Sequence, residues 1–210
     1  MSRDDYDRFC ENYLDTDQFE LLALGKTPGY FSPCAKLCDR TTWFDEPESK
    51  YTKMGVFIDV FPLDCICASP IKIKGMLIMK KLYSHSFVVN LQAGRFAEES
   101  FPKKIIRKLM SLSLSRFEPI TVSSWITDLV ASPHPTKKTM NIWGSWGERE
   151  IMEASWLGEG CFKPFSGLKC RIPSEWDKYL HTLYGDYMTP PDGPPRYHGQ
   201  AYRIDASERV

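Results

Sequence analysis

The most informative pattern of hydrophobic and polar positions lies in residues 55–64, which read GVFIDVFPLD. Apolar side chains occupy both faces of a two-residue period, so the pattern predicts a buried central strand that carries one acid, Asp59. Pro62 has no amide hydrogen for a ladder bond, so the strand should end there and leave Asp64 in the loop beyond. Asp59 would then lie at the carboxyl end of its strand, where α/β sheets present ligands.

A carboxylate on such a strand needs a partner from another part of the chain. Its removal from water costs several kcal/mol unless a cation, hydrogen-bond donors or a metal ion meets it, and no neighbour on the strand can do so. Two interpretations are open from the residues alone: Asp59 belongs to a functional site, or it caps a nearby helix or pairs with an arginine.

The segment before this strand predicts one helix and further strands. Residues 3–14 place apolar side chains at helical spacing against charged ones, with Ser2 as the N-cap, which indicates an amphipathic helix covering a sheet face. A turn at Asp39 and Arg40 should join the last two of the predicted strands. The three strands are residues 19–24, 30–37 and 41–44. They should neighbour the Asp59 strand.

Three consecutive helices are predicted after Asp64, as an insertion or lid. They are residues 70–93, 101–115 and 119–132. The second is amphipathic, because Lys103, Lys104, Arg107 and Lys108 lie opposite Ile105, Ile106, Leu109 and Leu112. Its basic face suits either an anionic lipid or glycan carrier at a membrane surface, or simple solvation.

The last third of the chain returns to strands. Residues 140–146 read as a strand edge or loop, in which Trp143 and Trp146 could be core residues or stack on a base or sugar. Residues 168–172 alternate as a half-exposed strand, and residues 175–184 form a capped helix. The prolines after Thr189 predict a tail that runs extended over the surface. Gly185 should end the helix.

Composition limits the class of protein. The 210 residues suit one domain, and 27 basic residues balance 27 acidic ones, so no global field attracts nucleic acid. No run approaches the length of about 18 apolar residues typical of a membrane span, and the polar amino terminus is unlike a signal peptide, which predicts a cytoplasmic protein. Seven cysteines predict reduced thiols, and the spacings Cys34-x3-Cys38 and Cys65-x-Cys67 are not those of zinc sites.

Three stretches carry a resemblance to a known family. They are residues 55–64, FSGLK at 165–169 with IPS at 172–174, and WDKYL at 176–180 running into LYGDYM at 183–188. In order and spacing they resemble the LicD family, known for phosphocholine transferases of bacterial envelope glycans and related to fukutin-type sugar-phosphate transferases. The resemblance extends over nearly the whole chain.

The resemblance implies an α+β (α/β) nucleotidyltransferase-type fold with a mixed sheet. It implies transfer of a phosphocholine-like group from CDP-choline or another CDP-alcohol to a hydroxyl of a cell-envelope glycan, namely lipopolysaccharide, teichoic acid or capsule. The acceptor could be lipid-linked at the inner membrane surface. Mg²⁺ or Mn²⁺ would be held by carboxylates.

The resemblance also implies roles for individual residues. Asp59 matches a catalytic, metal-binding acid of the family, and His198 loosely matches a tail histidine that would serve as general base. Lys36 and Asp64 are the expected substrate-binding residues, although Lys36 also reads as a solvated edge lysine.

One part of the family pattern is absent. The family's Asp-rich metal motif is followed at once by a phrase similar to residues 1–9, so the chain is expected to start just after that motif and its sheet to be incomplete. Asp4 and Asp5 read instead as acids of a first helical turn. The expected single domain comprises a sheet portion (1–64), a helical insertion (65–135), return strands with a helix (136–188) and a tail (189–210). A catalytically inactive remnant, or a binding or partner-dependent fragment, is the alternative.

Overall fold

The computed structural model describes residues 1–45, 54–88, 101–189, 193 and 200–203. It confirms a mixed α+β fold, with antiparallel strand pairs throughout the named elements of those ranges. The helices are α1 (Arg3–Asn12), α2 (Pro70–Tyr83), α3 (Phe101–Ser113), α4 (Pro119–Asp128) and α5 (Trp176–Tyr184). The strands are β1 (Phe19–Leu22), β2 (Ala35–Asp45), β3 (Met54–Val60), β4 (Asp64–Cys65), β5 (Lys138–Met140), β6 (Ile151–Glu153), β7 (Cys161–Phe165), β8 (Leu168–Ile172) and β9 (Gln200–Arg203).

The amino-terminal helix forms and packs as its sequence predicts. The Ser2 hydroxyl accepts a hydrogen bond from the Asp5 amide at 3.2 Å, which caps the first turn. Tyr6 turns inward from α1 and packs with Leu21 and Ala35 of the first sheet. The helix therefore covers one face of the sheet in which β1, β2 and β3 lie in that order.

Strand β2 is continuous where the sequence predicted two strands and a turn. The Asp39 side chain bonds to the backbone nearby: its Oδ1 accepts hydrogen bonds from the Thr41 amide and hydroxyl at 2.8 and 2.7 Å. The pairing of β2 with β3 shifts register between Asp39 and Phe44, so the irregularity is a bulge-type shift within one strand. The expected turn at Asp39 and Arg40 was wrong, because a side chain satisfies the backbone without reversing the chain.

The strand that carries Asp59 is an edge strand within the described sheet, which corrects the prediction of a buried central strand. Its described partner is β2, and the side chains of Val56 and Ile58 are 41% and 68% exposed. Alternating apolar residues indicate two faces that favour burial, but they do not specify which elements cover them. Helix α1 reaches Val60 and leaves the middle of β3 open.

The helical segment supplies a second core. Met76 and Tyr83 of α2 and Val122 and Ile126 of α4 pack with Met140 in one buried cluster. All three helices predicted here form. Helices α3 and α4 end earlier than expected, and a π-helical turn continues α2 through Ser84–Val88. Residues 89–93, the predicted end of the first helix, lie outside the described part. Within the described residues no helix combines the length and the apolar character needed to cross a bilayer.

The predicted elements of the last third also form. Strands β7 and β8 make a hairpin, and α5 ends at Gly185, whose φ of 72° lies in the region that favours glycine. Lys138–Met140 is a short strand, β5, that joins β4 and β6 in a second sheet. Strand β9 pairs with β2. The sequence predicted an extended surface tail here and did not predict this pairing.

Candidate functional site

Lys36 and Asp59, two residues singled out from the sequence, meet on the first sheet. They are directly opposite each other on β2 and β3, and the Lys36 Nζ donates to Asp59 Oδ1 at 2.7 Å. The Lys36 ammonium also lies 3.2 Å from the centroid of the Phe57 ring, two residues before Asp59 on the same face. A cation, a carboxylate and an aromatic ring thus form one partly exposed cluster, which we call the Lys36–Asp59 site.

The exposure of this cluster decides what it can do. The Asp59 side chain is 40% exposed and the Lys36 side chain 18%, so the expectation of a buried Asp59 was wrong. The partner that Asp59 needed is a lysine from the neighbouring strand, 23 residues earlier in the chain. An ion pair near the surface contributes only about 0–1 kcal/mol to the free energy of unfolding, so Lys36 and Asp59 are not needed for the stability of the fold.

Asp64 occupies a different environment from Asp59. It opens β4 rather than lying in a loop, and it is buried, with 2% of its surface exposed. Arg3 donates from Nε to Asp64 Oδ1 at 2.7 Å and from Nη2 to Oδ2 at 2.8 Å. This two-bond pairing joins α1 to the second sheet. The substrate-binding role of Asp64 stays a prediction, beside this structural role.

A cleft of about 1130 Å³ opens next to the Arg3–Asp64 pair, between α1 and α4. Its walls carry Asp7 and Glu11 from α1 and Thr127 and Asp128 from α4, with His134 beyond α4. Burial raises the pKa of Asp7, although Arg3 lies 3.7 Å from its carboxylate and opposes the shift. Sequence reasoning missed this cleft because its walls are more than 100 residues apart in the chain.

A smaller pocket of about 270 Å³ contains a half-buried lysine. Lys80 reaches it from α2 and donates to the Gly144 carbonyl, and Tyr83 and Trp143 provide aromatic walls with ring centroids 5.1 Å apart. Glu150, just behind, is buried and accepts from the Trp146 amide at 3.1 Å. Burial lowers the pKa of Lys80 and raises that of Glu150, and each group's charge partly offsets the other's shift. The sequence did not predict this arrangement, because Lys80 is one of several basic residues among the apolar residues of α2.

Replacing Glu150 with glutamine should change how stability depends on pH. The folded-state pKa of Glu150 is raised above its ordinary value of 4.5, so ionisation costs more in the folded chain than in the unfolded chain. Relative to Glu150→Gln, the natural chain should be as stable near pH 4 and should lose stability as pH rises through the folded pKa. Each pKa unit of difference corresponds to about 1.4 kcal/mol.

Urea unfolding of both chains at pH 4, 5.5 and 7 measures this effect. The amide oxygen of the substituted glutamine can still accept from the Trp146 amide, and Glu153→Gln, a change of the same kind in β6, is the control. A difference between natural chain and Glu150→Gln that stays constant across this range would contradict the assignment.

The other residues considered for chemistry are His198, the cysteines and possible metal ligands. His198 lies outside the described residues. The seven cysteines are all free thiols, and burial raises the pKa of Cys38 to about 12, which keeps that thiol protonated at neutral pH. Among the residues that the structure describes, no group of three or more His, Cys, Asp or Glu side chains is placed to hold a metal ion.

The carboxylate that the structure places at the Lys36–Asp59 site is that of Asp59, and it accepts a hydrogen bond from the Lys36 ammonium. Carboxylate oxygen is the right kind of ligand, and Mg²⁺ commonly takes one or two carboxylates and fills its other positions with substrate phosphates and water. One such carboxylate would need substrate phosphates and water to complete the coordination of Mg²⁺.

Comparison with known proteins adds no relative: no family model, no curated protein and no solved structure matches this chain.

Proposed function

We propose that the chain is a LicD-type transferase, which moves a phosphocholine-like group from a CDP-activated donor to a hydroxyl of a cell-envelope glycan. The observation that supports it best is the Lys36–Asp59 contact at 2.7 Å. It brings together two residues that the family resemblance marked, Lys36 for the donor phosphates and Asp59 for the metal ion. Both lie on an exposed sheet face that a ligand can reach.

The chemistry of the pair suits a ligand that carries phosphate and a divalent cation together. Without ligand, the Lys36 ammonium and the Asp59 carboxylate neutralise each other. A Mg²⁺–diphosphate group offers each of them a stronger opposite charge: the carboxylate a divalent cation, and the ammonium a phosphate oxygen. Binding would then exchange one weak exposed ion pair for two stronger ones.

The role of each residue in transfer follows from this exchange. Asp59 would contribute an oxygen ligand to the metal ion, and Lys36 would place a positive charge on a donor phosphate. Mg²⁺ would supply neutralisation of the phosphate charge. The acceptor oxygen would form a bond to the phosphorus that carries choline, the bond from that phosphorus to the bridging oxygen would break, CMP would leave, and the hydroxyl proton would pass to a general base. His198 as general base and Asp64 as a substrate contact stay predictions from the resemblance.

Calorimetric titration with CDP-choline, with and without Mg²⁺, tests the proposal on the purified chain. We expect Mg²⁺-dependent binding that weakens about tenfold, or about 1.4 kcal/mol, in both Asp59→Asn and Lys36→Gln. The two variants should differ in one respect. Asp59→Asn should lose the dependence on Mg²⁺, whereas Lys36→Gln should keep it and bind more weakly at every Mg²⁺ concentration.

Matched controls come from an exposed ion pair on α5, in which the Lys178 Nζ lies 3.0 Å from Glu175 Oε2. Glu175→Gln and Lys178→Gln make the same chemical changes away from the site and should bind as the natural chain does. Absence of Mg²⁺-dependent CDP-choline binding by the natural chain, or unchanged binding by Asp59→Asn, would refute the proposal. Binding that is never followed by phosphocholine transfer to an envelope glycan would favour the alternative of a binding or partner-dependent chain.

A further inference from the structure

The apolar face of α3 points to solvent. The four side chains involved are 46–64% exposed: Ile105, Ile106, Leu109 and Leu112. Residues 105, 109 and 112 share one stripe of a helix, and residue 106 lies beside it. The helix contacts the rest of the protein elsewhere, since Ser86 donates to the Met110 carbonyl at 3.0 Å and Leu114, just past the helix, is buried in the core of α2 and α4.

The charge of this segment is as unusual as its exposure. The whole chain has 27 basic and 27 acidic residues, yet residues 101–117 contain five basic residues and no acidic one. The five are Lys103, Lys104, Arg107, Lys108 and Arg116. The segment therefore combines a solvent-facing apolar stripe with a concentrated positive charge.

From this combination we infer that the exposed face of α3 lies on a bilayer that contains anionic lipids. A membrane surface satisfies both features, because the interface accepts the apolar stripe while anionic headgroups attract the lysines and arginines beside it. A second copy of the chain would cover the stripe only by bringing two segments of the same positive charge together, which is unfavourable. The inference is independent of the proposed transferase activity.

An exposed aromatic pair lies further along the chain, with Phe117 shortly after α3 and Trp125 on α4. Phe117 and Trp125 are both exposed, at 42% and 46%, and their rings meet edge to face with centroids 5.2 Å apart. Aromatic rings, tryptophan above all, concentrate at the level of lipid headgroups. Trp125 can therefore report contact with lipid, through its fluorescence.

Vesicle co-sedimentation of the full chain tests the inference without any donor or acceptor. We expect binding to vesicles of phosphatidylcholine with about 30% phosphatidylglycerol, little binding to phosphatidylcholine alone, and weakening at high salt. Leu109→Glu should lower the partition coefficient at least tenfold. Lys103→Gln and Arg116→Gln should each lower it about fivefold, as expected for loss of one charge at an anionic surface.

Leu14→Glu is the matched control, because Leu14 is 82% exposed, lies outside α3 and gives the same change in net charge. It should bind vesicles nearly as well as the natural chain. Circular dichroism should show that both glutamate variants are folded, since each change is at an exposed position. Failure of the natural chain to bind anionic vesicles, equal loss in Leu14→Glu and Leu109→Glu, or a stable dimer that Leu109→Glu dissociates would each overturn the inference.

Discussion

Replacing Arg3 with methionine is expected to lower the free energy of unfolding by about 3–5 kcal/mol. Both oxygens of the buried Asp64 carboxylate accept hydrogen bonds from Arg3, and the Asp64 side chain is 3% exposed. Methionine keeps much of the stem volume and removes both donors, so a charge is left in the interior without its partner. Chemical denaturation at pH 7 measures the loss.

Arg8→Met on the same helix provides the control. Arg8 pairs with Asp5, but both side chains are more than half exposed, so its loss should cost less than about 1 kcal/mol. The double variant Arg3→Met with Asp64→Leu should recover much of the stability lost by Arg3→Met, because it removes the stranded charge. If Arg3→Met and Arg8→Met were equally stable, the Arg3–Asp64 pair would not hold α1 to the second sheet.

Gly55→Ala should destabilise the fold by about 3 kcal/mol. A Cβ atom at this position would lie 2.0 Å from the Asp39 carbonyl oxygen and 2.6 Å from its carbon. These are backbone atoms at the register shift of β2, so no side-chain rotation relieves the clash. The edge strand that carries Asp59 would have to move away from β2, and thermal or urea unfolding should register the loss.

Gly75→Ala is the control for this substitution. Gly75 lies inside α2, where an added Cβ would meet Leu129 Cδ2 at an ordinary 3.6 Å. Alanine at a helix interior should stabilise by about 0.5–1 kcal/mol. The two glycine variants should therefore shift the unfolding midpoint in opposite directions, and a neutral Gly55→Ala would mean that β2 and β3 are not so closely packed.

Much of the fold was accessible from the sequence wherever local chemistry decides it. Ser2 caps α1, Gly185 ends α5, and the alternation of residues 168–172 forms β8, because each signal depends on neighbours a few residues away. The register shift of β2 after Asp39 was mistaken for a turn, because an Asp side chain that accepts from the amide two residues later is also typical of turns.

The candidate site was accessible only in part. Lys36 and Asp59 were both singled out, yet nothing in the sequence indicated that they oppose each other, because their contact depends on the pairing of β2 with β3. Lys80 and Glu150 carried no signal at all. Their perturbed pKa values arise from burial, which is a property of the packed helix α2 and the turn before β6.

The sequence by itself thus determined the identity of most elements, the balance of charge and the concentration of basic residues in 101–117. Only the tertiary structure decided that β3 is an edge strand in the described sheet, that Asp59 is exposed while Asp64 is buried, and that α3 presents its apolar side to solvent. The physical reason is common to all three. Periodicity shows which side chains favour burial, whereas burial itself depends on which distant elements pack against them.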